Sequence, residues 1–134
     1  MSVIKSKRTT SEMEFLYNAR QLHIHTIRKV ANFPKRYTFY VGQPIAACAT
    51  RIHECVKCAN SIYPLNQHEV QIRRDYFLRA NAELNNLVSL IEVANELFGI
   101  DMDALKYWMD MVEFEIRLVK AVMKSDRERY KELP

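Results

Sequence analysis

Apolar side chains in the second half of this chain recur at alternating steps of three and four residues. Val70, Phe77, Ala80, Leu84, Leu87, Ile91, Ala94 and Phe98 form one series, with Arg73 its single polar member. Leu105, Met109, Val112, Ile116, Val119 and Met123 form a second. Steps of three and four follow the helical period, whereas a half-buried strand would need steps of two. Between Asn66 and Tyr130 there is no proline and a single glycine, Gly99. The spacing therefore predicts two long helices packed at shallow crossing angles of about 20°.

Punctuation residues place the other elements. Ser11 and Glu14 have capping-box spacing, and the apolar pattern that follows stops at Pro34, which predicts a helix over 11–32 behind a basic tail, 1–10. Pro44 suits the first turn of a helix running to 63, where Pro64 ends it. Asn66 and Glu69 open a third helix, 66–98, closed by Gly99. Asp101 caps a fourth, 102–130. Residues 33–43, FPKRYTFYVGQ, read as a wrapped loop. Short connections make successive helices antiparallel, so the expected fold is an all-α, up-down-up-down four-helix bundle in one domain of 134 residues. With only two glycines and four prolines, the chain lacks the turn residues of a sheet protein.

No run of apolar residues is long enough to span a bilayer, and no hydrophobic segment follows the basic residues of MSVIKSKRTTSEM, so neither a membrane span nor a secretory leader is expected. Three cysteines, an odd number, point to a reduced, cytoplasmic setting.

HECVKC, residues 53–58, has the residue types of a metal or redox site. Helical phase argues otherwise. At 100° per residue, Ile45, Cys48, Ile52, Cys55, Ala59 and Ile62 share the core stripe, Cys58 flanks it, and His53 points about 160° away from Cys55. A zinc site needs its ligands to converge, and a redox CxxC sits at a helix N-terminus. The cysteines are read as buried sulfur, His23 as a hydrogen-bonded core histidine, and His25 and His68 as solvated. Asp101, Asp103, Asp110, Glu113 and Glu115 show no acid–base spacing, and no Glu-x-x-His occurs to build a di-iron bundle site. Neither metal nor cofactor is expected, and no enzyme activity.

Charge is segregated along the chain. Residues 1–80 carry 13 Lys and Arg against 5 Asp and Glu, residues 81–116 carry Lys106 against 8 acids, and residues 117–134 carry 6 bases against 3 acids. Folded up and down, this predicts a basic end able to attract phosphate chains. Lys35, Arg36, Lys57, Arg73, Arg74 and Arg79 are the candidate nucleic-acid contacts, with Tyr37, Phe39 and Tyr40 either stacking on bases or plugging a bundle end. Helices one and four also have apolar arcs wider than a monomeric bundle needs. Phe15, Leu22, Tyr107, Trp108, Met111, Phe114 and Leu118 are the candidate interface of a homo-oligomer.

FPKRYTFYVGQPI and RRDYFLRANAELNNLVSLIEVANELFGI, with Ala80, Glu83 and Leu84 inside the latter, resemble a superfamily of small four-helix bundles. It includes the proteins encoded in ribosomal RNA intervening sequences and the accessory variability determinant (Avd) of diversity-generating retroelements. The resemblance spans about residues 11–125. The intervening-sequence branch closes helix two with Asn-Ile-Ala-Glu-Gly, whereas this chain has Asn60-Ser61-Ile62-Tyr63-Pro64, closer to the Avd-like branch. The resemblance implies a basic homopentamer, without activity of its own, that binds RNA or DNA and a reverse transcriptase in mutagenic cDNA synthesis. Two alternatives stand beside it: a structural or protein-interaction bundle without nucleic-acid binding, and a metal or redox enzyme using Cys48, Cys55, Cys58 and His23.

Overall fold

The computed structural model describes residues 2–134, with side chains described from Met13 onward. Among these residues there are four α-helices and no strand: α1 Ser2–Ala31, α2 Gln43–Asn60, α3 Gln67–Phe98 and α4 Met102–Arg129. The expected all-helical bundle is present. Asn66 caps α3 by accepting from the Glu69 amide at 2.9 Å, while the Glu69 carboxylate accepts from the Leu65 amide at 2.7 Å. Gly99 closes α3 at φ 72°, a conformation a side chain would resist. Asp101 caps α4 through the Ala104 amide at 3.1 Å.

Three boundaries differ from expectation. α1 runs from Ser2, so the backbone at position 11 is already helical rather than at a helix start. The Ser11–Glu14 capping contact and the side chains of Lys5, Lys7 and Arg8 lie outside the described side chains. α2 ends at Asn60 rather than 63, because Pro64 disfavours helical backbone at the residue before it. Residues 33–43 are no open loop: a 3₁₀ turn, Lys35–Tyr37, and a wide helical turn, Thr38–Gly42, lead directly into α2. A Cβ on Gly42 would lie 3.0 Å from Val30 Cγ1, so the glycine permits this close approach to α1.

α1 packs on α2 and α4, and α3 packs on α2 and α4, enclosing a core shared by all four helices. Phe15, Leu22, Ile45, Ile52, Phe77, Leu84, Leu87, Ile91, Trp108, Val112 and Val119 are all buried there. Truncating one of these leucines or isoleucines to alanine would cost about 2–5 kcal/mol. Phe15 meets Phe77 edge to face at 5.6 Å across the bundle. The α1–α4 seam also holds polar groups: Trp108 Nε1 donates to Thr26 Oγ1 at 3.0 Å, and Asn18 Nδ2 donates to Glu115 Oε1 at 3.1 Å.

This packing corrects part of the expected oligomer interface. Phe15, Leu22 and Trp108 fill the interior of their own subunit and offer no surface to a second one. The wide apolar arcs of α1 and α4 are consumed partly by each other. Tyr107 is 60% exposed, and Met111, Phe114 and Leu118 are half-buried on the outer edge of the α1–α4 seam.

Candidate nucleic-acid interface

The polar strip of α4 begins with mixed charge at Lys106, Asp110 and Glu113 and continues with cations only. Arg117, Lys120, Lys124 and Arg127 follow at steps of three, four and three, so they share one face and extend over about 15 Å of helix. Lys131 continues the register in the turn beyond. All five are exposed. Arg117 lies over the Phe114 ring at 5.8 Å, and Lys131 pairs with Glu128 at 3.1 Å. The register that buries Trp108, Val112, Val119 and Asp126 is what turns this stripe outward.

Arg74 of α3 shares a cleft of about 440 Å³ with Arg127 and Lys131, the far end of the stripe. Val70, Met123, Phe77 and Tyr130 supply its apolar wall, and Gln67, Gln71, Arg127 and Lys131 complete it. The adjacent Arg73 points the other way. It is 5% exposed, donates to Asp126 through Nε at 2.7 Å and Nη2 at 3.2 Å, and reaches the Ala59 and Ile62 carbonyls through Nη1, each at 3.1 Å. Arg73 is therefore a strut joining α2, α3 and α4, not a phosphate contact. Helical phase is the reason, since Arg73 occupies the core series of α3.

The other candidates are dispersed. Lys57 is exposed on α2 near the same end. Arg79 is exposed on α3, its guanidinium over the Tyr76 ring at 5.6 Å. Lys35 and Arg36 sit at the opposite end, before the start of α2. Arg36 lies over Tyr37 at 5.1 Å. Tyr37 in turn stacks on Phe98 at 5.1 Å and plugs that end with Phe33, whereas Phe39 and Tyr40 remain exposed. The basic end also carries Glu54, Glu69, Asp75, Asp126 and Glu128, so its net excess is smaller than a count of cations implies. Positive charge is concentrated by the α4 stripe and Arg74. Arg117, Lys120, Lys124 and Arg127 were absent from the candidate contacts, although their spacing was readable.

HECVKC is divided by the fold. Cys48 is buried, and its thiol donates to the Glu83 carbonyl at 3.2 Å. Burial, with the Glu83 carboxylate beside it, pushes this thiol up to about 12, which removes its nucleophilicity. Val56, not Cys55, completes the core stripe; Cys55 is half-buried and Cys58 exposed. His53 does not face solvent. Its Nδ1 lies 3.0 Å from His23 Nδ1, and His23 Nε2 lies 3.0 Å from the Thr50 hydroxyl. Thr50 donates to the Ala46 carbonyl at 2.9 Å, so it accepts from His23 Nε2, and His23 Nδ1 accepts from His53. Burial, then His23, Lys57 and Arg20, hold His53 below its ordinary range. His25, expected in solvent, is half-buried with Nε2 enclosed and unbonded; His68 is exposed.

Among the described residues, no three His, Cys, Asp or Glu side chains converge to hold a metal ion, and no helix is long and apolar enough to cross a membrane. Neither a known protein-family model nor a curated protein matches the chain.

Proposed function

We propose that this chain is a non-enzymatic, nucleic-acid-binding accessory protein built on an antiparallel up-down-up-down bundle. The topology is supported by opposed residue pairs: Met13 with Asn60 and His23 with His53 on α1 and α2, and Asn18 with Glu115 and Thr26 with Trp108 on α1 and α4. The observation that carries the function is the α4 stripe, Arg117, Lys120, Lys124 and Arg127, whose last member shares a cleft with Arg74. Cations at one helical spacing track a phosphate backbone, and release of its counterions drives binding. Lys57 and Arg79 lie apart from this surface, Arg79 in the α2–α3 cleft with Cys55 and Cys58 and Lys57 on α2 beside His53, and Lys35 and Arg36 sit at the opposite end.

The partner reading rests on the resemblance to Avd-like bundles. It makes the chain a cytoplasmic homo-oligomer, a pentamer by that likeness, acting with a retroelement reverse transcriptase in mutagenic cDNA synthesis. Tyr107, Met111, Phe114 and Leu118 are the outer apolar residues left for subunit contact. Filter binding to RNA and DNA across a salt series tests the function. Affinity should be present at low salt and fall linearly in log–log form. Absence of retention at low salt, with a tight complex to a protein partner, would replace it with a protein-interaction bundle. A monomer by light scattering would remove the oligomer.

A further inference from the structure

We infer that the cleft between the start of α3 and the end of α4 is a nucleotide site selective for a terminal phosphomonoester, free or at the end of a strand. The inference deepens the nucleic-acid reading and rests on it. Two guanidiniums, Arg74 from α3 and Arg127 from α4, line this cleft from opposite sides, and neither has an ion-pair partner among the described residues. Lys131 adds a third cation at the rim. The only carboxylate in the lining, Asp126, has both oxygens engaged by Arg73. With Lys131 paired to Glu128, the unneutralised positive charge of the cleft is that of Arg74 and Arg127.

Its shape selects the ligand further. A volume of about 440 Å³ is within the range of small-ligand sites and far below that of a groove for duplex. Val70 and Met123, each one turn before a guanidinium on the same helix face, and Tyr130 give an apolar lining that suits a base or sugar beside the cations that suit phosphate. Two guanidiniums match a phosphomonoester, which carries between one and two negative charges near neutral pH, better than an internal diester carrying one. We read one end of the cleft as bordered by the turn after α4, held against the start of α3. The turn after α4 is tied to α3 by the Gln67 amide, which donates to the Pro134 main-chain oxygen at 2.8 Å, and by Gln67 Nε2, which donates to the Tyr130 and Leu133 carbonyls at 2.8 and 3.1 Å. A strand can enter at the open side and stop, which favours a chain end over its interior. The α4 stripe leads away from this point and would carry the nucleotides that follow.

The test is fluorescence anisotropy on the full chain with one oligonucleotide prepared with a 5′-phosphate, a 3′-phosphate or hydroxyl ends. One phosphorylated end should bind about tenfold tighter than hydroxyl, the size of one charge-assisted contact. Arg74→Gln with Arg127→Gln should erase that preference and leave the residual binding of the stripe. Equal affinity for all three, with binding retained, overturns the cleft assignment and leaves the nucleic-acid reading standing. If no oligonucleotide binds, that reading fails and AMP, followed by amide and arginine Nε NMR shifts, judges the cleft alone. AMP shifts at Arg74 and Arg127 that inorganic phosphate does not reproduce support the site. No shift, or identical shifts from both, overturns it.

Discussion

Arg73 and Arg74 are neighbours in sequence and opposites in the fold. Arg73 lies inside the bundle, its guanidinium divided between Asp126, the Ala59 carbonyl at the end of α2 and the Ile62 carbonyl just beyond it. Arg74, 100° further round α3, borders an open cleft. The interior charge holds the basic end together, and the surface charge is free to act on a ligand. The same residue type is drawn into the core or left at the surface according to helical phase, so a count of basic residues cannot separate the two.

The largest effect should come from breaking the interior member. Arg73→Ala strands a buried carboxylate and unbonded carbonyls, and should cost about 3–5 kcal/mol in urea unfolding. Arg74→Ala should stay within about 0.5 kcal/mol in the same assay while lowering nucleic-acid affinity. Equal stability losses would dissolve the comparison.

Glu115 extends it to a second interior charge. The carboxyl is fully buried and, among the described residues, bonded only to Asn18, with Oε2 unpartnered, and burial pushes it up to about 8 from an ordinary 4.5. The unfolded chain gives up this proton first. The stability it lends is complete below pH 4.5 and is lost as pH rises toward 8. Glu115→Gln should unfold like the parent at pH 4 and be more stable by about 1–3 kcal/mol at pH 9, read by denaturant midpoints.

Surface cations should show the reverse pattern. Lys120→Gln with Lys124→Gln should leave the melting temperature unchanged and reduce the salt slope of single-strand binding by about 1.4. An unchanged slope would move the phosphate path off α4. The smallest effect belongs to the half-buried His53, held below its ordinary 6.5 by burial, His23, Lys57 and Arg20 against an opposing Glu54. Its contribution is present above pH 6.5 and lost as pH falls, so His53→Asn should flatten a shallow acid loss in thermal melts.

The helices were legible because Gly, Pro and cap residues interrupt the apolar register where the chain turns, as Asn66, Gly99 and Asp101 illustrate. The start of α1 was not, because a favourable cap spacing at Ser11 also fits a helix interior. The site was legible in part. Arg74, Arg79 and Lys57 are accessible as charge and phase suggested, and Arg127 was open to the same argument. Arg73 was misread although its place in the core series was visible, because burial of a charge depends on a partner 53 residues away, Asp126. Phe15, Leu22 and Trp108 were misassigned for a related reason: the width of an apolar arc does not say whether a neighbouring helix or a neighbouring subunit covers it. His23 and His53 pair across two helices, a relation that no wheel of one helix contains.

Trp108 is the only tryptophan in the chain, completely enclosed and bonded to Thr26 at 3.0 Å. The His25 ring is 6.2 Å from it, and burial, then Lys29 and Arg28, keep His25 neutral to lower pH than usual. Its fluorescence should therefore be blue-shifted in the folded protein, redden when α1 parts from α4, and dim as His25 takes a proton below pH 6.5. The α1–α4 seam carries its own optical gauge, readable without a label.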